Sequence, residues 1–167
     1  MSQSGFFSAG LIVALLAGGV CAQSVNAPEA GQGHVTRVQM SPYTHHYTYD
    51  SAHRDVIMLG LEREHPDARL DGLALFRNSF GQESIYLYPW GRTYRTLGGI
   101  ESLSFKWTAG LLYGYRDSYE NKVPLNYKGF SPAVILALDY EFLPGWSGQV
   151  NFLGNSALMF QLNRQLK

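Results

Sequence analysis

The chain has 167 residues, enough for one domain and little more. Lys+Arg and Asp+Glu are 13 each, so there is no basic footprint for nucleic acid. Mean hydropathy is slightly below zero, which excludes a bundle of membrane helices but not a barrel whose strands alternate apolar and polar faces.

In chain order, the first element is an apolar run from Gly5 to Cys21, short for a spanning helix. Small residues at Val20-Cys21-Ala22 make residues 1–22 a predicted signal peptide, cleaved before Gln23. Cys21 is the single cysteine, so cleavage leaves no thiol for a disulfide or a CxxC metal site. Residues 23–34 read as a polar linker, and 35–167 as the folded domain.

Within that domain no window carries a helical stripe. Alternation of period two recurs instead, broken by turn signals. Early strands are expected near Val35–Tyr49, Val56–Glu64, Leu70–Arg77 and Ser84–Trp90. The later ones are clearer: Ser104–Tyr115, Ala133–Phe142, Trp146–Leu153 and Ala157–Leu166. In Ser104–Tyr115 one face is Ser104, Lys106, Thr108, Gly110 and Leu112, and the other carries Phe105, Trp107, Leu111, Tyr113 and Tyr115. His65-Pro66-Asp67 and Leu143-Pro144-Gly145 are tight turns, whereas Arg116 to Phe130 is a long polar loop. Short turns at one end and longer loops at the other are the habit of bacterial outer-membrane barrels. The prediction is an all-β, eight-stranded antiparallel transmembrane β-barrel. Its apolar face, with aromatics toward the strand ends, turns to lipid.

Giving each strand its direction exposes a gradient on the inward face. Five strands are apolar toward the loop end and polar toward the turn end; the facing of the third and fourth strands is left open by the pattern. The apolar half includes Gly110, Leu112, Ile135 and Met159, and the polar half Glu62, Lys106, Asp139 and Gln149. Eight strands enclose room for side chains or for one narrow ligand. An acyl chain would suit the apolar half, at about 0.8 kcal/mol per buried methylene.

Residues able to carry chemistry gather at the loop end. His45 and His46 close the first strand, and Asn78-Ser79-Phe80-Gly81-Gln82 caps the third. A serine becomes useful when a base such as histidine is within reach. His45, His46, Asp50 and His53 could also hold a metal, though no spacing demands one. There is no nucleophile elbow, phosphate-binding loop or dinucleotide fingerprint.

Several segments carry a resemblance. They are Leu59-Gly60-Leu61, Gly72, Phe76-Arg77-Asn78-Ser79-Phe80, Thr108-Ala109-Gly110, Arg116-Asp117, Val123-Pro124-Leu125 and Tyr47-Thr48-Tyr49-Asp50. Together they resemble the lipid A palmitoyltransferase family of Gram-negative outer membranes. The resemblance implies a cofactor-free monomeric barrel in the outer membrane, with phospholipid and lipid A as partners. It implies that Ser79 and His46 (or His45) act at the extracellular mouth. Asn78 stands where the family has a carboxylate, and Arg116 with Asp117 would bind the lipid headgroup. The His-His-Tyr-Thr-Tyr-Asp and Arg-Asn-Ser-Phe-Gly-Gln segments are also similar to bacterial proteins labelled glycerol-3-phosphate transporters. A filled eight-stranded barrel offers no polar path for such a solute. The leading expectation is therefore acyl transfer or ester hydrolysis on outer-leaflet lipid. The rivals are a non-catalytic barrel that binds a hydrophobic ligand or stabilises the envelope, and a small-solute transporter.

Overall fold

The computed structural model describes residues 33–48, 51 and 53–166. The predicted signal peptide, most of the linker, and Tyr49, Asp50 and Lys167 lie outside them. Among the described residues, eight strands run in chain order: β1 (Val35–His46), β2 (Met58–Glu64), β3 (Leu70–Arg77), β4 (Glu83–Tyr94), β5 (Leu103–Tyr113), β6 (Phe130–Leu143), β7 (Trp146–Leu153) and β8 (Ala157–Gln165). Each pairs antiparallel with its neighbour, and β1 pairs β8, from Arg37↔Gln165 to His46↔Ala157, closing the barrel. Closure leaves no edge strand to be managed. A 3-10 helix, Asp117–Lys122, lies in the β5–β6 loop.

The outer surface is apolar along its middle, with Leu59, Leu61, Leu75, Leu87, Val134 and Leu136 exposed. Trp90, Tyr94, Tyr140 and Phe142 are exposed toward the end of the short turns, and Tyr43, Tyr127 and Phe130 toward the end of the long loops. Polar side chains are buried inside, Glu62, Lys106, Asn151 and Asn163 among them. A soluble barrel is built the other way round. The chain is a β-barrel of the membrane-spanning type.

Two bulges decide which side chains enter. In β1 the register slips between Met40 and Tyr43. Ser41 turns in, and its hydroxyl donates to the Phe160 carbonyl (2.7 Å) at the irregularity. Beyond it Thr44 and His46 are partly buried, while Tyr43 and His45 are exposed. Without the extra residue the alternation would have put His45 inside. In β4 the register slips between Leu87 and Trp90. Tyr86 and Tyr88 are buried before the slip, and Gly91 and Thr93 after it. That change of parity is why the facing of β4 was open in the sequence, and the strand runs on to Tyr94, past the expected end. Facing the bulge is Gly110, pressed on the Leu87 carbonyl and the Tyr88 backbone so tightly that no Cβ fits.

The half of the lumen at the turn end is filled with polar side chains. Lys106 Nζ lies 2.7 Å from Glu62 Oε1, and Arg37 Nη1 lies 2.7 Å from Glu64 Oε2. Arg95 Nη2 reaches the other oxygen of Glu64 at 2.5 Å. An amide ladder continues the network. Gln149 donates to Asn151 (2.6 Å), Asn151 to Gln161 (2.9 Å), Gln161 to Asn163 (2.6 Å), and Asn163 to Asp139 (2.9 Å). Buried charges and amides persist only when satisfied in this way. The result is a plug across the turn end.

Candidate functional site

Above the plug lies a cavity of about 650 Å³ that opens at the loop end. This is within the roughly 300–1,000 Å³ of small-molecule sites. Its walls are apolar: Val56, Met58, Ala74, Tyr86 and Met159 form a buried cluster, with Phe76, Leu112, Ala133, Ile135 and Leu153 packed against it. The expected gradient is therefore present on the strands that showed it; Ala74 and Phe76 of β3 and Tyr86 of β4 add to the apolar wall, although β3 buries Leu70 at its turn end and β4 buries Ser84 at its loop end. Small side chains at Ala74, Ala133 and Ala137 keep the space open.

The mouth of the cavity is lined by His46, His53, Ser79, Phe80, Tyr115 and Lys122. The imidazoles of His46 and His53 lie with centroids 4.2 Å apart. His53 meets the edge of Phe80 at 5.4 Å, and Phe80 stacks on Tyr119 at 4.4 Å. The Lys122 ammonium sits 5.2 Å from the centre of the Phe80 ring. The Arg54 amide donates to the Ser79 carbonyl (2.8 Å), which ties the β1–β2 loop carrying His53 to the β3–β4 loop carrying Ser79.

Ser79 is buried beside the Tyr115 phenol. Burial raises the pKa of Tyr115, and the neighbouring Ser79 hydroxyl offsets part of the rise. Tyr115 was expected on the lipid face of β5. It reaches the mouth because the strand ends at Tyr113 and Gly114 follows with φ of 140°, a conformation that suits glycine.

Asn78 is fully buried and does not line the cavity. Its Oδ1 accepts from the amides of Phe80 and Gln82 (3.0 Å each), and its Nδ2 donates to the Gly114 carbonyl (3.2 Å). An asparagine that folds its own loop in this way is a turn-former. It fixes the backbone next to Ser79 and joins it to Gly114, one residue before Tyr115. A carboxylate here would set an oxygen against the Gly114 carbonyl.

The other expected residues divide. Leu112, Ile135 and Met159 line the cavity, and His46 and Ser79 line its mouth. His45 faces outward, 3.4 Å from the Tyr43 hydroxyl. Gly110 is held against β4 and is no part of the cavity wall. Arg116 and Asp117 also lie off the wall. The Arg116 backbone amide donates to Gln82 (3.1 Å), and its guanidinium lies over the Tyr113 ring at 5.8 Å. Besides Phe80, which the sequence marked only as part of the loop with Ser79, His53, Tyr115 and Lys122 are the mouth residues that the sequence did not single out as catalytic or substrate-binding. The signal for His53 was its nearness to His45–His46. Nothing local marked the other two. Among the described residues no group of three His, Cys, Asp or Glu is placed to hold a metal.

Comparison with known proteins adds the fold alone. No family model matches the chain, and no curated protein matches it. A solved structure from work on de novo design of transmembrane β-barrels is similar, with a TM-score of 0.55 and 12% identity over 81% of this chain and 98% of the designed one.

Proposed function

We propose that this barrel sits in the bacterial outer membrane, takes one acyl chain of an outer-leaflet lipid into its upper lumen, and acts on the ester at the mouth. The observation that carries the reading is that one apolar cavity, closed below by the polar plug, has His46 and Ser79 in its rim. Burying an acyl chain there gains about 0.8 kcal/mol per methylene. The carbonyl of a chain inserted methyl-end first comes to rest at the rim, where the polar groups are.

In this reading His46 is the general base toward a hydroxyl or water. It takes the proton as the oxygen attacks the ester carbonyl, and returns it to the leaving alcohol. Ser79, beside Tyr115, positions and polarises the ester, and His53 orients His46 through ring contact. Asn78 acts on the loop and not on the substrate. An acyl acceptor in place of water makes the reaction a transfer. Phospholipid and lipid A are the proposed donor and acceptor, and no cofactor is required. The plug disfavours the transporter reading, because a solute would have to displace the buried Lys106–Glu62 pair.

Mass spectrometry of lipid A and phospholipids tests the proposal in cells with the protein, without it, and with Ser79→Ala or His46→Ala. A one-acyl change that needs both side chains supports it. The same change with both variants favours an acyl-binding barrel without catalysis at these groups. Unchanged profiles under envelope stress with the active protein overturn it.

A further inference from the structure

The hydrogen-bond ladder between β3 and β4 is interrupted, although the barrel stays closed. Their ladder runs from Arg77↔Glu83 to Gly72↔Tyr88 and stops at the β4 bulge. The two chains meet again at the isolated bridge Arg69↔Arg92. The interval leaves a second hollow of about 630 Å³ near the turn end, away from the mouth. Its apolar side is a row across three strands, Leu61↔Leu73↔Leu87. Its polar side is Thr36, Glu62, Arg63, His65, Arg69 and Asp71, and Arg92 stands just outside it, across the bridge from Arg69.

The charges do not balance. Arg63 pairs with Asp71 (3.0 Å) and Arg69 with Asp67 (2.6 Å), while His65 also contacts Asp71. Arg92 has no charged partner among the described residues and stands across the bridge from Arg69. Like charges directly opposite each other on neighbouring strands repel. An anion between them relieves that repulsion, and guanidinium groups match phosphate oxygens in geometry. Trp90, beside this site on β4, is exposed, as expected of a side chain at the membrane–water boundary.

We propose that this gap seats an anionic phospholipid of the leaflet at the turn end. Arg92 and Arg69 take its phosphate, and one acyl chain lies along Leu61, Leu73 and Leu87. The leucine row beside the cations argues for a lipid over a soluble anion. This site is separate from the upper cavity and does not rest on the function proposed for it.

The test is native mass spectrometry of the purified full chain, released from micelles with equal phosphatidylglycerol and phosphatidylethanolamine. The wild type is expected to retain phosphatidylglycerol preferentially. Each basic residue at a lipid surface contributes about fivefold, so Arg92→Gln with Arg69→Gln should reduce the preference by roughly an order of magnitude or more. Heat-dependent gel mobility checks that the variants fold. Lys128→Gln, a charge removed at the loop end, should leave the preference intact. A wild type without preference, a double variant that keeps it, or an equal loss in Lys128→Gln overturns the proposal.

Discussion

Asn78 Nδ2 donates to the carbonyl of Gly114 across the β3–β4 and β5–β6 loops, at 3.2 Å. That bond joins the backbone on either side of the Ser79–Tyr115 pair, so loop geometry and site geometry are one problem here. Asn78→Ala orphans two backbone amides and one carbonyl in a buried place. It should cost about 2–3 kcal/mol, on the scale of unsatisfied buried groups. Asn78→Asp should restore the two accepted bonds yet remain less stable than wild type, because its second oxygen opposes the Gly114 carbonyl. Urea titration of both variants in the same detergent measures the order.

The raised pKa of Tyr115 gives a sign for alkaline pH. A group whose pKa is higher folded than unfolded contributes stability below its unfolded pKa, about 10 for tyrosine. That contribution is lost as pH rises through the folded value. The wild type should lose stability relative to Tyr115→Phe across this alkaline window and not at neutral pH. Unfolding midpoints for both proteins from neutral pH upward check it; parallel curves would remove burial of this phenol from the account.

The plug makes a prediction about charge pairing. Lys106→Met leaves Glu62 buried without its nearest cation and should cost about 3–5 kcal/mol. Lys106→Met with Glu62→Met removes both charges and should recover much of that loss. The four proteins form a double-mutant cycle, and its coupling energy is the measured quantity.

The cavity makes a prediction about chain length. Ala133 packs against the apolar cluster below the mouth. Ala133→Phe fills space without touching the polar rim, so it should shift the preference to shorter acyl chains. Mass analysis of lipids that copurify with each protein reads the shift directly.

Much of this was legible in the sequence. Period-two alternation marked the four later strands, turn signals completed the count of eight, and direction applied to five of the strands revealed the divided lumen before any coordinates. What was hidden followed from irregular backbone. The bulge before Tyr43 decides between His45 and His46, and no side-chain pattern announces it. The bulge at Tyr88–Pro89 reverses the facing of half of β4. Gly114 turns Tyr115 from the lipid face to the mouth. Asn78 read as a member of a reacting set because it stands where the resembled family has a carboxylate, whereas its amide is spent on the loop. The two bulges and Gly114 are departures from alternation, so a reading built on alternation could not see them.

The central claim is that a lipid chain occupies the upper lumen. Met58 and Met159 face into that cavity, and Met40 is on the outer surface. Methyl-labelled methionine in phospholipid bicelles permits nuclear Overhauser measurement between each methyl and the lipid methylenes. The account predicts contacts from Met58 and Met159 as well as Met40. Contacts confined to Met40 would contradict it, leaving a barrel that lipid surrounds but does not enter.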